Sequence, residues 1–515
     1  LLPSIKDNEN GFTGGYAFRP SINAYQFANA QAIAHLASVA GRPSVASDYS
    51  RRAEALRAAT LEQLWNPQLQ HFTDIYQRST KYVTAGTFIR GRELVGYLPW
   101  AYDLPPHSSL SSQTPAYEQA WRHALEASQL AGPHGLRTVE PTYPRYLHQY
   151  RYDRETGLPE CQWNGPTWPF QTSQALTAFA NLLHDYDQQV TSRDDYLHLL
   201  RQYTSQHLLP SGTPDLQEDY NPDTGLPIVG LPRSHHYNHS TYNDLIISGL
   251  IGLRPRADDT LELDPLMPTA NTTEKPIRYF ALDGVMYHGH ELTILYDWNS
   301  TRYHLGTGLF IFCDGKRISG PTSLKHTFVR LPPPIIKNIP PRVDLAVNPS
   351  GSSTIASSDL PLPSASSTTN PQELYSAIDG RLWFFPEISN GWSPANTDPD
   401  AISKPLNRAT NTSDPDCWYA VDLRHKQTIA SIELFFFADG RDFLAPPSFR
   451  LQTLSPTGWQ DIPGATRSPH TPLANGLNLI TLPVMTSQQL RVLFEQPPAP
   501  ARLRLIEIKV FGPPQ

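Results

Sequence analysis

Two stretches carry residue types that could handle a sugar. In Glu160-Cys161-Gln162-Trp163-Asn164-Gly165-Pro166-Thr167-Trp168-Pro169, two indoles and an amide surround a turn that opens a helix. An indole offers a flat apolar face and one N–H donor, which suits the face of a pyranose ring. The same tryptophans could equally plug the start of a helix. In Glu218-Asp219-Tyr220-Asn221-Pro222-Asp223-Thr224-Gly225, three acids share one loop, enough for proton transfer although many acidic turns are only solvated. Arg90-Gly91-Arg92-Glu93, with Tyr97 and Trp100 close behind, could give directed bonds to hydroxyls from Arg92 and Glu93 and a wall from Trp100; a surface ion pair would read the same. His235-His236-Tyr237-Asn238-His239 lacks metal-ligand spacing and has no cysteine beside it, so His236 is expected in a pocket wall.

Helical periodicity runs through residues 1–255 and must position these loops. Asn23 can cap a helix over Ala24, Ala28, Ile33, Ala37 and Ala40 that Gly41 ends; Tyr49, Ala53, Leu56, Thr60 and Leu64 mark the face of its hairpin partner. Further helices are expected over about 115–130, from Thr167 as cap with Pro169 in the first turn, over about 193–207, and after Ser240. The loops 86–106 and 143–167 exceed ordinary helix connections, a mark of function. From 256 to 345 the pattern turns alternating and β-branched, with Asp314-Gly315 as a hairpin turn, then runs into proline-rich linker. Strand signals dominate 346–515 and argue a β-sandwich.

The 515 residues, 39% hydrophobic and 17% charged, describe a multidomain globular chain. Forty-one Lys and Arg against 48 Asp and Glu, without a basic run, argue against a nucleic-acid partner. No stretch has the ~18 uninterrupted apolar residues a membrane span needs. Three distant cysteines give no disulfide framework, and N-x-[ST] sites at Asn238, Asn271, Asn299 and Asn411 favour a secreted glycoprotein.

In this order, Trp163-Asn164-Gly165-Pro166-Thr167-Trp168 and Glu218-Asp219-Tyr220-Asn221-Pro222-Asp223-Thr224-Gly225 resemble the (α/α)6-toroid glycoside hydrolases of family 63 and the mannosylglycerate hydrolases. Those enzymes carry Trp-x-Gly-Pro-x-Trp and, two helices later, Glu-Asn-Tyr-x-Pro-x-Thr-Gly. The resemblance implies that Glu218 is the general base, and that Trp163, Asn164 and Trp168 border the substrate; Arg19, Arg92, Glu93, Trp100 and His236 are further candidates for the pocket. Asn164 stands where the glucosidases commonly have Arg, so their substrate does not carry over. The resemblance also implies a general acid upstream, where Asp7 and Glu9 are the candidates and Asp7 is preferred. A six-hairpin toroid has twelve helices and the sequence shows six, so an N-terminally incomplete barrel is expected. Its partner would be the missing half, from the same gene product or a cleaved chain, covering otherwise bare apolar helix faces.

Ser376-Ala377-Ile378-Asp379-Gly380, Trp392-Ser393, Trp418 to Leu423, Ile429 to Leu434 and Arg504 to Ile508 are similar to the F5/8 type C (discoidin) domain, also used as family 32 carbohydrate-binding modules. That likeness implies a structural calcium near Asp379 and Glu507, whose oxygens suit a hard cation; no cofactor is expected for catalysis. The expected whole is a toroid (1–255), a small β module with linker (256–345) and a discoidin-like sandwich (346–515). It would act as a secreted, inverting exo-glycosidase on a carbohydrate substrate. The alternatives are a glycan-binding adhesion protein with a degenerate toroid, or a rhamnosidase or arabinofuranosidase on a related toroid.

Overall fold

Proline opens three of the four long helices, where its missing N–H costs nothing. In the computed structural model these are α1 (Pro20–Val39), α2 (Pro43–Gln63) and α3 (Pro169–Asp185). The fourth, α4 (Arg193–Ser205), starts with a capping box in which Ser192 Oγ accepts from the Asp195 N–H and the Asp195 carboxylate accepts from the Ser192 N–H. The structure describes residues 16–80, 83–107, 116–237, 239, 241–268, 273–334, 342–350, 359–395 and 417–514.

Two compact units result, one of Leu1–Tyr296 with Gly308–Pro334, the other of Asp297–Thr307 with Ile335–Gln515. In the first, α1 and α2 form the expected hairpin, closed by Gly41 at φ +67°. Asn23 is not its cap. Arg19 holds that position, and the Asn23 amide donates back to the Arg19 carbonyl at 2.8 Å from inside the first turn. Of the expected stripe, Ala24 and Ala37 are buried, Ala28 is half-buried, and Ile33 and Ala40 are exposed; the buried face is set by Ala24, Phe27 and Ala30, which pack with Ala53, Leu98 and Leu104.

The stretch expected to be helical over 115–130 is a 3-10 helix at Tyr117–Ala124 among the described residues. The helix after Ser240 is a short α-turn, Tyr242–Asp244, continued by a π-helix, Leu245–Leu250. A further helical piece, Leu94–Tyr97 with Leu98–Ala101, was not anticipated. The described residues therefore hold four long helices and shorter segments. Their core is strongly aromatic: Tyr97 stacks on Trp121 at 4.2 Å between centroids, Trp121 on Phe179 at 4.9 Å, and Trp100 meets Phe72 at 5.5 Å. Such pairs add about 0.5–1.5 kcal/mol each beyond the area they bury.

The β region after residue 253 joins this first unit. A four-stranded sheet runs in the order Lys316–Thr322, Gly308–Cys313, His290–Asp297, Tyr279–Tyr287. A three-stranded sheet runs in the order Thr327–Arg330, Thr260–Leu263, Leu253–Arg254. Leu261, Leu292, Ile294, Leu309 and Ile311 share one core. The Asp314-Gly315 turn forms as expected, with both residues at positive φ and Cys313 paired to Lys316.

The second unit is β-rich. Its strands run Leu362–Ala365, Trp418–Phe436, Leu477–Phe494, Phe449–Ser455, Gly458–Asp461, with Leu505–Phe511 also on Trp418–Phe436 and Thr466–Ser468 on Leu477–Phe494. The pairing of the two longest strands shifts register between Asp422 and Gln427 and again between Ile429 and Ser431. Such breaks bend a long strand, so its two halves pair with different neighbours around one core. Tyr419, Val421, Ile432, Leu434, Ile480, Val492 and Ile508 fill that core around the fully buried Trp392.

Candidate active site

The tryptophan turn and the acidic loop are joined backbone to backbone. Thr167 N–H donates to Tyr220 O at 2.8 Å and Tyr220 N–H to Thr167 O at 2.9 Å. Thr167 is thus spent on this bridge, and Trp168 occupies the cap of α3. Gly165 is required by geometry as well as by φ +136°: a Cβ there would sit 2.8 Å from the Tyr146 ring. Further pairings extend the row of loops, Thr138 N–H to Pro166 O at 3.3 Å, Glu93 with Val139, and Ile75 with both Phe18 and Phe88. Short backbone pairings thus tie the loops around Phe18, Ile75, Glu93, Thr138, Thr167 and Tyr220 to one another in succession.

Glu218 is 7% exposed and accepts a hydrogen bond from Ser234 Oγ at 3.0 Å. Burial, then the Glu218 charge, raises the pKa of both Cys161 and Tyr237, which places both groups within reach of its carboxylate's field. Its neighbour Asp219 is fully buried, and burial pushes its carboxyl up to about 7 although Oδ1 accepts from Val229 N–H at 3.2 Å. Asp215 anchors the start of the loop by accepting from His236 N–H at 2.8 Å and pairing with His235 Nδ1 at 2.8 Å and His236 Nδ1 at 3.1 Å. His236 has φ +54° and a solvent-facing ring beside a cavity of about 450 Å³ bordered by Asp215, Tyr237, His239 and Tyr242.

The expected sugar-facing residues separate by burial. Trp163 is half-buried, stacked on Trp168 at 3.9 Å and edge-on to the exposed Phe170 at 6.4 Å. Trp168 is buried, and its indole N–H goes to Gln162 O at 2.9 Å, so it plugs the helix start beneath Trp163. Asn164 is fully buried, with its amide donating to Arg145 O and His148 O at 2.6 and 3.0 Å. Burial sets it back from the surface, while its Oδ1 has no hydrogen-bond partner among the described residues. Trp100 is also fully buried, in the aromatic core rather than on a pocket wall. Arg92 is bound to Glu140 at 2.7 Å and to Leu69 O at 2.9 Å, which takes it out of the expected contact as well.

Glu93 is different. Its Oε1 lies 3.0 Å from Arg19 Nη2, and Arg19 Nε lies 3.1 Å from Asp74 Oδ2, so one guanidinium holds two buried carboxylates. Asp74 had not been singled out. Its signal was a charged residue inside the run 71–76, every member of which is buried. Ser234 and Asp215 also escaped notice, because a serine or an acid in a loop says nothing until its partner is placed. Asp7 and Glu9 lie outside the described residues.

In the second unit, Glu507 is fully buried. Its Oε1 accepts from Gly380 N–H at 2.9 Å, while Oε2 has no hydrogen-bond partner among the described residues. Burial, then the Asp379 charge, pushes its carboxyl up to about 9, and burial raises Asp379 too. Two acids each raised by burial, one of them with an orphaned oxygen, fit a hard cation such as calcium.

No curated protein matches the chain. Among solved structures, a protein described as a sialidase is 36% identical, over 62% of this chain, with a TM-score of 0.53; the chain spans 28% of that protein's length. A solved chain from work on the Streptococcus pneumoniae β-galactosidase BgaA is 14% identical over 33% of this chain and 98% of its own, with a TM-score of 0.27. The family 32 carbohydrate-binding module of Clostridium perfringens NanJ, solved with galactose, is 14% identical over 33% of this chain and 99% of its own, at 0.22. Residues 5–240 match the family described as the mannosylglycerate hydrolase MGH1-like glycoside hydrolase domain, so this part of the chain carries a glycoside hydrolase-type domain.

Proposed function

We propose that the chain is an inverting exo-glycosidase with Glu218 as general base. The observation that carries this reading is the Thr167–Tyr220 bridge, which fastens the Glu218 loop to the Trp163 turn. Glu218 is buried enough to be held in one place by Ser234, yet still 7% exposed, so a water can reach it. Its carboxylate takes a proton from that water as the water's oxygen attacks the anomeric carbon. Asp7 or Glu9 protonates the departing glycosidic oxygen. An inverting pair leaves a gap of roughly 6.5–9.5 Å between its carboxyl groups for the water. The matched family supports hydrolysis; exo action and inversion go beyond it.

The β-rich second unit serves in this reading as a glycan-binding module, stiffened by a calcium held between Asp379 and Glu507. The exposed sequon at Asn299 agrees with an extracellular glycoprotein. Proton NMR of the first product from an aryl glycoside tests the mechanism. A monosaccharide of inverted anomeric configuration is expected; a retained anomer or an internally cut oligosaccharide would contradict it.

A further inference from the structure

The Arg19 cluster holds more hydrogen-bonding capacity than the protein satisfies. Asp74 and Glu93 are 2% and 3% exposed, yet Asp74 Oδ1 and Glu93 Oε2 have no hydrogen-bond partner among the described residues. Arg19 Nε is within ion-pair distance of Asp74 but not aligned to donate to it. Buried polar atoms are nearly always paired, so three unaligned atoms on one cluster mark where a ligand would complete the network.

The charges say what that ligand is. One guanidinium already faces two carboxylates, so the cluster has no spare positive charge. Burial and the Glu93 charge raise the pKa of Asp74 against the pull of Arg19, an acid excess felt locally. Two neighbouring arginines are committed, the half-buried Arg92 to Glu140, and the buried Arg137 to Asp223 at 3.0 Å and to the Ala127 carbonyl at 2.8 Å, while Arg90 is exposed to solvent. What the open oxygens can accept is O–H donors, and a hydroxyl that donates to a carboxylate can also accept from Arg19 Nε.

We infer that Arg19, Asp74 and Glu93 form a subsite for the hydroxyl groups of a neutral sugar, one that excludes sugars bearing a carboxylate. This rests on the glycosidase reading and narrows its substrate. A carboxylate placed here would be a third negative charge around one guanidinium. A neutral ring with adjacent hydroxyls supplies O–H donors for both open carboxylate oxygens without adding charge. A hydroxyl-reading site of this kind also rejects analogues that lack the hydroxyl, because its own buried groups are then left unpaired.

The test uses the full chain with 4-nitrophenyl glycosides of neutral hexoses and deoxyhexoses, alongside a glucuronide and an α-sialoside. Turnover of a neutral glycoside at least about 100-fold above either acidic one is expected. Asp74→Asn and Glu93→Gln should each raise KM for that neutral substrate at least tenfold. On the wild-type chain, the single-deoxy analogue lacking the recognised hydroxyl should lose a similar factor, an arm that stands even if a variant fails to fold. Preferential turnover of the sialoside or glucuronide would overturn the inference and leave the glycosidase reading standing. So would neutral turnover with every deoxy analogue equivalent, or with unchanged KM in both folded variants. No turnover of any glycoside and no inhibition by any of the sugars would overturn both.

Discussion

Replacing Asp219 with Asn should stabilise the first unit, and do so only toward alkaline pH. The carboxyl is fully buried, holds one hydrogen bond from Val229 N–H and leaves Oδ2 without a partner among the described residues. Burial moves it from 3.8 to about 7. The folded value lies above the unfolded one, so unfolding releases a proton. Stability is therefore full below about 4, falls as pH climbs to about 7, and stays level beyond that. At roughly 1.4 kcal/mol per pKa unit, three units cost about 4 kcal/mol at pH 8. Asn keeps the acceptor for Val229 N–H and has no proton to release. In a unit of about 300 residues, 4 kcal/mol corresponds to a rise of about 6 °C in Tm. Thermal scans of both proteins at pH 4 and pH 8, following the transition of the first unit, measure it. Agreement within about 1 kcal/mol at pH 4 and a clear gain at pH 8 are expected. An equal shift at both values, or a loss at pH 8, would refute the burial argument.

Two further outcomes follow from the same physics. Millimolar calcium should raise the transition of the second unit at pH 8, by about 2.7 kcal/mol if free calcium reaches a hundred times its Kd, and Glu507→Gln should abolish that response. Glu507 stays protonated in the fold up to about 9 unless a cation offsets it, so without calcium this unit weakens as pH rises from about 4.5; an unchanged transition with calcium and with chelator would remove the cation from the account. Gly249→Ala should destabilise the first unit by about 2–4 kcal/mol through overpacking, because the new Cβ would run into the Tyr196 hydroxyl that donates to Leu245 O at 3.0 Å inside the π-helix. Tyr196→Phe should recover part of the loss; a Gly249→Ala chain of wild-type stability would contradict the close approach.

What could be read in the sequence was local. The Pro169 helix start, the Gly41 stop and the Asp314-Gly315 turn each follow from backbone preferences within a few residues, and all appear. The strands of residues 346–515 were legible because their alternation matches a two-faced core. The stretch 115–130 misled because the amphipathic spacing of Tyr117, Ala120, Trp121 and Ala124 fits a 3-10 helix laid on an aromatic core as well as an α-helix. In the site, Glu218 and Trp163 were visible because their motifs are contiguous. Arg92 and Trp100 look like recognition residues by type, but only their partners show that Glu140 and the aromatic core absorb them. Arg19, Asp74 and Glu93 are 74 residues apart at the extremes, so no spacing rule could join them.

The most direct test of the central claim is turnover by Glu218→Gln. The amide keeps the size of the side chain and can still accept from Ser234 Oγ, so both thermal transitions should stay within about a degree of wild type. Removing a general base should lower kcat on a neutral aryl glycoside by about 10² to 10⁴. That loss with intact transitions is what the account predicts. Turnover within a few-fold of wild type in the same folded variant would contradict it and remove Glu218 from the chemistry.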